Sequence, residues 1–158
     1  KTMTKELKFS LFNEKKTLIL GRVISSCLSH GLLIFLKGEL GAGKTTLIRG
    51  IILALGHKGT VKSPTYSLIE QYELNGLNLN HFDLYRFTDP NEWFLSGFQE
   101  NINRRDINLI EWPEIAAEIL PKPDLEIELQ HMEKGRAANI KSFTKKGNKC
   151  LEHLHSSS

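Results

Sequence analysis

The chain has 158 residues, 40% hydrophobic and 25% charged, with a formal net charge of +3 and a pI near 8.9. That length supports one domain with its own core, and the composition excludes a disordered or fibrous chain, while no run approaches the roughly 18 apolar residues of a membrane span. The mild basic excess argues for no particular partner, because much of it lies near the C-terminus, and two cysteines, Cys27 and Cys150, make neither a disulfide framework nor a metal cluster, as expected in a reducing compartment.

The opening "KTMTKELKFSLFNEKKT" is charged too early and too often for a signal peptide, so the expected location is cytoplasmic. Residues 14–30 carry Leu20, Val23, Ile24, Cys27 and Leu28 at helical spacing, with Gly31 as a stop. "LLIFLK" is a short continuous apolar run, the pattern of a parallel strand buried on both faces. The glycine-rich "GELGAGKTT" follows at 38–46, and then Leu47, Ile48, Ile51, Ile52 and Leu55 mark one helical face that ends at Gly56.

The period then changes. "YSLIEQYEL" and "LNLNHFDLY" flank Asn75-Gly76, a strong hairpin signal, and Leu77, Leu79, His81, Asp83 and Tyr85 share one face of the second arm. "PNEWFLSGFQENINRR" reads as a short helix and loop. "INLIEW" is another apolar strand, ending on Glu111, and a helix at about 113–119 starts on Pro113. "DLEIELQHM" alternates, with "RAANIKSF" as its returning partner. Beyond Thr144 the lysines and small polar residues predict a frayed, disordered tail over 145–158, and the polar "LEHLHSSS" is set aside from fold reasoning. The expectation is a single domain over 1–144, with no internal repeat.

Gly38, four residues, Gly43, Lys44 and Thr45 form the full phosphate-loop pattern, between a strand and a helix as that pattern requires. Gly41 and Gly43 admit positive φ, so successive amide N–H groups can turn inward around an anion. The following helix aims its free N–H groups and positive dipole end at the same place. Lys44 brings a mobile charge to the β and γ phosphates, and Thr45 offers a hydroxyl to a bridging magnesium ion.

Such loops work with a carboxylate at the end of a neighbouring strand. Two candidates exist, Glu111 and Asp83, and each read alone is equally a solvated strand-end acid. The preferred assignment puts Glu111 on the metal side and Asp83 on the attacking water. The loop Ser63-Pro64-Thr65 reads from its residues as a stiff turn; the alternative is a switch that brings a threonine to the γ-phosphate and magnesium. No Asn-Lys-x-Asp stretch of the guanine-reading type occurs, which leaves ATP as the expected nucleotide.

"GELGAGKTT", "VKSPTYSLIEQY", "HFDLYR" and "LIEWPE", in this order and spacing, closely resemble the TsaE (YjeE) family, the small bacterial ATPase of tRNA threonylcarbamoyladenosine biosynthesis. The resemblance runs from about residue 14 to 143. It implies a P-loop α/β fold of three layers, α/β/α, with a mixed, mostly parallel sheet and added β-hairpins. It also implies Mg2+-dependent ATP hydrolysis, slow alone and stimulated by a TsaB–TsaD complex; the hydrolysis would reset that assembly, with tRNA met indirectly through the complex and direct contact left open. On this sequence the resemblance implies nucleotide contacts from Gly41, Ala42, Gly43, Lys44, Thr45 and Thr46, with Lys44 and Asp83 catalytic and Thr45 and Glu111 on the metal. Ser63, Pro64 and Thr65 become the switch-like loop, and Glu14 and Arg136 fall near the base and sugar.

The chain departs from the family pattern in two places. Glu39 replaces the commoner aspartate, and Trp93 and Phe94 replace a leucine and a second acid; an aromatic pair beside a helix reads first as core. Two rivals to an ATPase are a small-molecule kinase, for which Arg104-Arg105 would supply lid arginines, and a nucleotide sensor without turnover. A basic run of Lys141, Lys145, Lys146 and Lys149 would serve direct tRNA contact, but reads more simply as a solvated face.

Overall fold

The computed structural model describes residues 5–157. In chain order the elements are β1 (Lys5–Leu11), α1 (Glu14–Ser25), β2 (Leu33–Lys37), α2 (Lys44–Ala54), β3 (Ile69–Leu74), β4 (Leu77–Asp83), α3 (Glu92–Leu95), β5 (Ile107–Glu111), β6 (Leu125–His131), β7 (Arg136–Ser142) and α4 (Lys145–Ser157), with 3-10 turns at Phe98–Asn101 and Pro113–Ala116. The strands form one seven-stranded sheet ordered β1-β7-β6-β2-β5-β4-β3.

The apolar run of β2 takes the centre, between β5 and β6, and pairs in parallel with both. A strand covered on both faces needs apolar side chains at every position, which is why it shows no alternation. β4 adds in parallel to β5, so the strand that feeds the glycine-rich loop and both candidate acid strands run in the same direction. Parallel pairing is confined to these central strands. β6–β7, β7–β1 and β3–β4 are antiparallel, and the sheet is therefore mixed. The hairpin turn falls where expected: Asn75 and Gly76 both have positive φ, 51° and 80°, as a two-residue I′ turn requires.

α1, α2 and α4 cover one face, where Leu20, Ile24, Leu47, Ile51 and Leu154 meet Ile34, Leu36 and Leu109 of the sheet. The other face is covered more thinly by α3 and the two 3-10 turns, over Phe35, Phe82, Trp93, Phe98 and Ile110. Trp93 is thus core, as an aromatic beside a helix suggests, whereas Phe94 is largely exposed. α1 and α2 cross closely because glycines meet there: a Cβ on Gly21 would lie 2.6 Å from the Leu47 carbonyl oxygen, and one on Gly50 2.7 Å from that of Leu18.

Five expectations need correction. β1 was not anticipated; "KELKFSL" alternates around Leu7, Phe9 and Leu11, but its charged outer positions, natural on an edge strand, mask the period. The expected frayed tail is instead α4, which buries Gly147, Cys150, Leu151 and Leu154 on one stripe. Lysines and histidines on its other face lower the mean hydropathy and hide that stripe. Its Cys150 is disulfide-bonded to Cys27, so the two cysteines are not unpaired. Finally, α1 stops at Ser25 rather than 30, and the helix expected at 113–119 is a single 3-10 turn. Residues 1–4 and 158 lie outside the described residues, and among the rest no helix is long and apolar enough to cross a membrane.

Candidate functional site

β2 delivers the chain into the glycine-rich loop, and α2 begins immediately after it. Gly43 sits at the N-cap with φ 106°, ψ 10°, and no side chain caps the helix. The first N–H groups of this eleven-residue helix are therefore left pointing at the loop, the arrangement that binds an anion. Positive φ at Gly43 turns its own amide the same way, which a side chain would oppose.

Lys44 is only 5% exposed. Its Nζ donates to the Gly38 carbonyl oxygen and lies 3.5 Å from the centroid of the Trp112 ring. Burial lowers its pKa below the usual lysine value; Glu111, Glu114 and Asp83 pull in the opposite direction. The structure thus holds a desolvated cation against weak partners, a carbonyl and a π face, rather than in a closed ion pair.

The two acids come together by register. Asp83 ends β4 and Glu111 ends β5, and the two are paired Cα partners on parallel strands, so their side chains leave the same face. That face is the one packed under α2. Asp83 is half-buried, and burial raises its carboxyl above the ordinary 3.8; the Tyr85 N–H, which donates to Oδ1 at 2.9 Å, works against the rise, and Glu111 adds to it. Glu111 is 3% exposed and accepts from His81 Nε2 at 2.6 Å. His81 lies two residues before Asp83 on the same strand face. The shared face is legible in the alternation of the sequence, but a role for His81 is not.

Trp112, directly after Glu111, adopts φ 57°, ψ 46°, a left-handed conformation that costs a bulky residue about 1–3 kcal/mol. The strained backbone turns the indole back beneath Lys44 and against Tyr85, 4.9 Å between centroids.

Two cavities flank the loop. One, of about 350 Å3, is lined by Glu14, Gly41, Gly43, Thr46 and Arg136, together with Phe12 and Thr17. Arg136 enters it from the start of β7, where it pairs with Leu11 of β1, and donates from Nη2 to the Gly41 carbonyl at 3.1 Å. Glu14 enters from the first turn of α1 but is already engaged, its Oε1 accepting from Arg49 Nη2 at 2.7 Å. Phe12 is 68% exposed at the end of β1, and missing that strand concealed it. The second cavity, of about 410 Å3, brings Thr65 to Asp83 and Trp112, with Leu40, Tyr85 and Arg86.

The residues singled out in the sequence are therefore brought to the ends of the central strands, but not into one cavity. Ala42 is buried behind the loop, and Thr45 faces outward from the first turn of α2. Ser63 and Thr65 bond to each other, Oγ to Oγ1 at 2.7 Å, while Pro64 is buried and its carbonyl accepts from Leu68 N–H. Arg104 and Arg105 sit just before β5, and the Arg104 backbone packs against Gly31 just before β2. That is the opposite end of the sheet from the loop, so they form no lid over it. Of the basic run, Lys145, Lys146 and Lys149 line the outer face of α4, and Lys146 donates to the Gly31 carbonyl. No group of three or more metal-binding side chains forms a cage among the described residues; the donor set suits an ion held chiefly by phosphate oxygens and water.

Comparison with known proteins shows the family and the fold. The family model described as "Threonylcarbamoyl adenosine biosynthesis protein TsaE" matches residues 11–139. The chain is 42% identical over 116 residues to the tRNA threonylcarbamoyladenosine biosynthesis protein TsaE of Haemophilus influenzae, covering 73% of each chain. It is 32% identical over 145 residues to the protein of the same name from Bacillus subtilis, covering 92% of this chain and 89% of that one. The crystal structure of Bacillus subtilis YdiB superimposes with a TM-score of 0.85 at 26% identity, over 99% of both chains. With the family model matching residues 11–139 and relatives 32% and 42% identical over most of its length, this chain belongs to the TsaE family.

Proposed function

We propose that the protein binds Mg–ATP at this loop and hydrolyses it in the service of tRNA threonylcarbamoyladenosine biosynthesis, working with TsaB and TsaD partners. One observation carries the reading: a buried Lys44 stands at an uncapped helix N-terminus, with Asp83 and Glu111 in register on the neighbouring strand ends. The family name supports the pathway.

The loop amides, the α2 N-terminus and Lys44 hold the phosphate tail. Phe12 and Arg136 border the cavity beside the loop and offer a ring and a guanidinium for a base to stack on. Thr45 and Glu111 would hold the metal, which when bound would supply positive charge against the phosphate oxygens. Asp83 orients the attacking water and accepts hydrogen bonds from it. Its raised pKa, caused chiefly by burial, makes it a better proton acceptor than an ordinary aspartate. Thr65, beside Asp83, is the switch-side hydroxyl. Leu40, Tyr66 and Tyr85 are exposed around this second cavity, a surface suited to a partner that completes the site and stimulates turnover.

The test is ATP turnover with and without TsaB–TsaD, for wild type and Lys44→Ala. A low basal rate, marked stimulation, and a fall of about 100-fold or more in both with Lys44→Ala are expected. Equal rates in all four conditions overturn the proposal. Asp83→Ala separates an ATPase from a sensor: an ATPase loses turnover and keeps ATP binding.

A further inference from the structure

We infer that His81 is the positioning residue for Glu111: it holds the carboxylate away from Lys44 and so keeps one group for the metal's water shell and the other for phosphate. The inference rests on the Mg–ATP reading above and extends it to a fully buried residue behind the carboxylate.

The placement follows from strand geometry. His81 and Asp83 are two residues apart on β4, and Asp83 is in register with Glu111 on β5, so all three side chains leave one face of the sheet. His81 is fully buried, and its Nε2 lies 2.6 Å from Glu111 Oε2. Its other nitrogen, Nδ1, is buried with no hydrogen-bond partner among the described residues. A neutral imidazole carries one N–H; placed on Nε2 it donates to the carboxylate, and placed on Nδ1 it would be a buried donor without an acceptor. The tautomer is therefore fixed by the environment.

The consequence concerns the carboxylate. Oε2 is occupied by His81, while Oε1 has no hydrogen-bond donor among the described residues and remains for water. Glu111 and Lys44 are close enough to interact electrostatically, yet they form no ion pair. A buried carboxylate free to rotate beside a desolvated ammonium would close onto it, because that contact is strong in a low-dielectric site. It would then compete with the phosphates for Lys44 and with the metal's water for Glu111. The hydrogen bond from His81 opposes that collapse. Partners of this kind, one bond behind a metal-side ligand, typically matter by about 10- to 100-fold in metal affinity or rate.

The experiment compares wild type with His81→Leu, which removes the donor at similar volume, and His81→Gln, whose amide N–H can replace Nε2–H. Three readouts are taken: binding of a fluorescent ADP without metal, the Mg2+ concentration giving half-maximal turnover, and kcat against KM for ATP. In His81→Leu the Mg2+ half-point should rise and kcat fall by about tenfold or more, with KM changed less; His81→Gln should restore most of both. A folded His81→Leu with wild-type Mg2+ dependence and kcat overturns the inference. Should His81→Leu not fold, 15N NMR of the wild-type imidazole decides: a proton on Nε2 supports it, and a proton on Nδ1 alone overturns it. A wild type without ATP turnover would sink the ATPase reading instead, and the NMR measurement would still decide for His81.

Discussion

Lys44 rests with its ammonium 3.5 Å from the centre of the Trp112 ring while donating to the Gly38 carbonyl. Neither partner is a carboxylate, so the lysine can be drawn onto a phosphate without breaking a closed salt bridge. The indole it leaves is a built-in reporter. Adding Mg–ATP should change tryptophan emission, and Trp112→Phe should abolish the change. The chain's other tryptophan, Trp93, is fully buried among Phe82, Phe87 and Phe98 and should stay silent. An undiminished response in Trp112→Phe would refute the contact's role.

Two glycines should fail in different ways. Gly43 has φ 106°, but a Cβ there would meet nothing closer than Leu129 and Thr17 at 3.9 Å, so Gly43→Ala meets backbone strain rather than a clash. Its cost, about 1–3 kcal/mol, falls on the phosphate loop, and nucleotide affinity should drop more than thermal stability. Gly21 lies within α1, where a Cβ would sit 2.6 Å from the Leu47 carbonyl oxygen. Gly21→Ala should lower stability by about 1–3 kcal/mol through forced separation of α1 and α2. Denaturant melts alongside nucleotide titrations check both.

The raised pKa of Asp83 has a stability cost with a definite sign. Its folded pKa lies above the ordinary 3.8, so the native state holds that proton more tightly than the unfolded chain. Stability therefore falls as pH rises through the interval above 3.8, and the cost persists at neutral pH. In protein freed of nucleotide and metal, Asp83→Asn keeps an oxygen for the Tyr85 N–H, removes that cost, and should raise Tm at pH 7. The gain should shrink towards pH 3, and hydrolysis should be lost throughout. A lower Tm for Asp83→Asn at pH 7 would contradict the assigned cause.

Removing the chain after Thr144 should destabilise the fold rather than trim a loose end. Leu151 and Leu154 are buried, and their loss alone should cost about 3–6 kcal/mol. Cys150 also ties α4 to Cys27 just beyond α1, a link across 123 residues. Reducing it should cost a further ~2–4 kcal/mol, a sensitivity that Cys27→Ser with Cys150→Ser should eliminate. Thermal melts with and without reductant test both effects. An unchanged Tm after truncation would mean that α4 does not pack as described.

Much of the site was legible from residue order because its chemistry is local. The glycines, Lys44 and Thr45 fall at close fixed spacing, and the continuous apolar run Leu33–Leu36, with the mostly apolar Ile107–Ile110, announces strands buried on both faces. The hairpin at Asn75-Gly76 is likewise a matter of two residues' φ preference. Other features depend on neighbours distant along the chain. That Asp83 stands beside Glu111, and that His81 bonds to the latter, follows from the parallel register of β4 and β5. β1 and α4 owe their order to β7 and α1, which supply the apolar contacts that their mixed, charged sequences cannot supply alone. Short-range preference can write a loop or a turn, whereas burial, pairing and the strain on Trp112 arise only when separate segments share one interior.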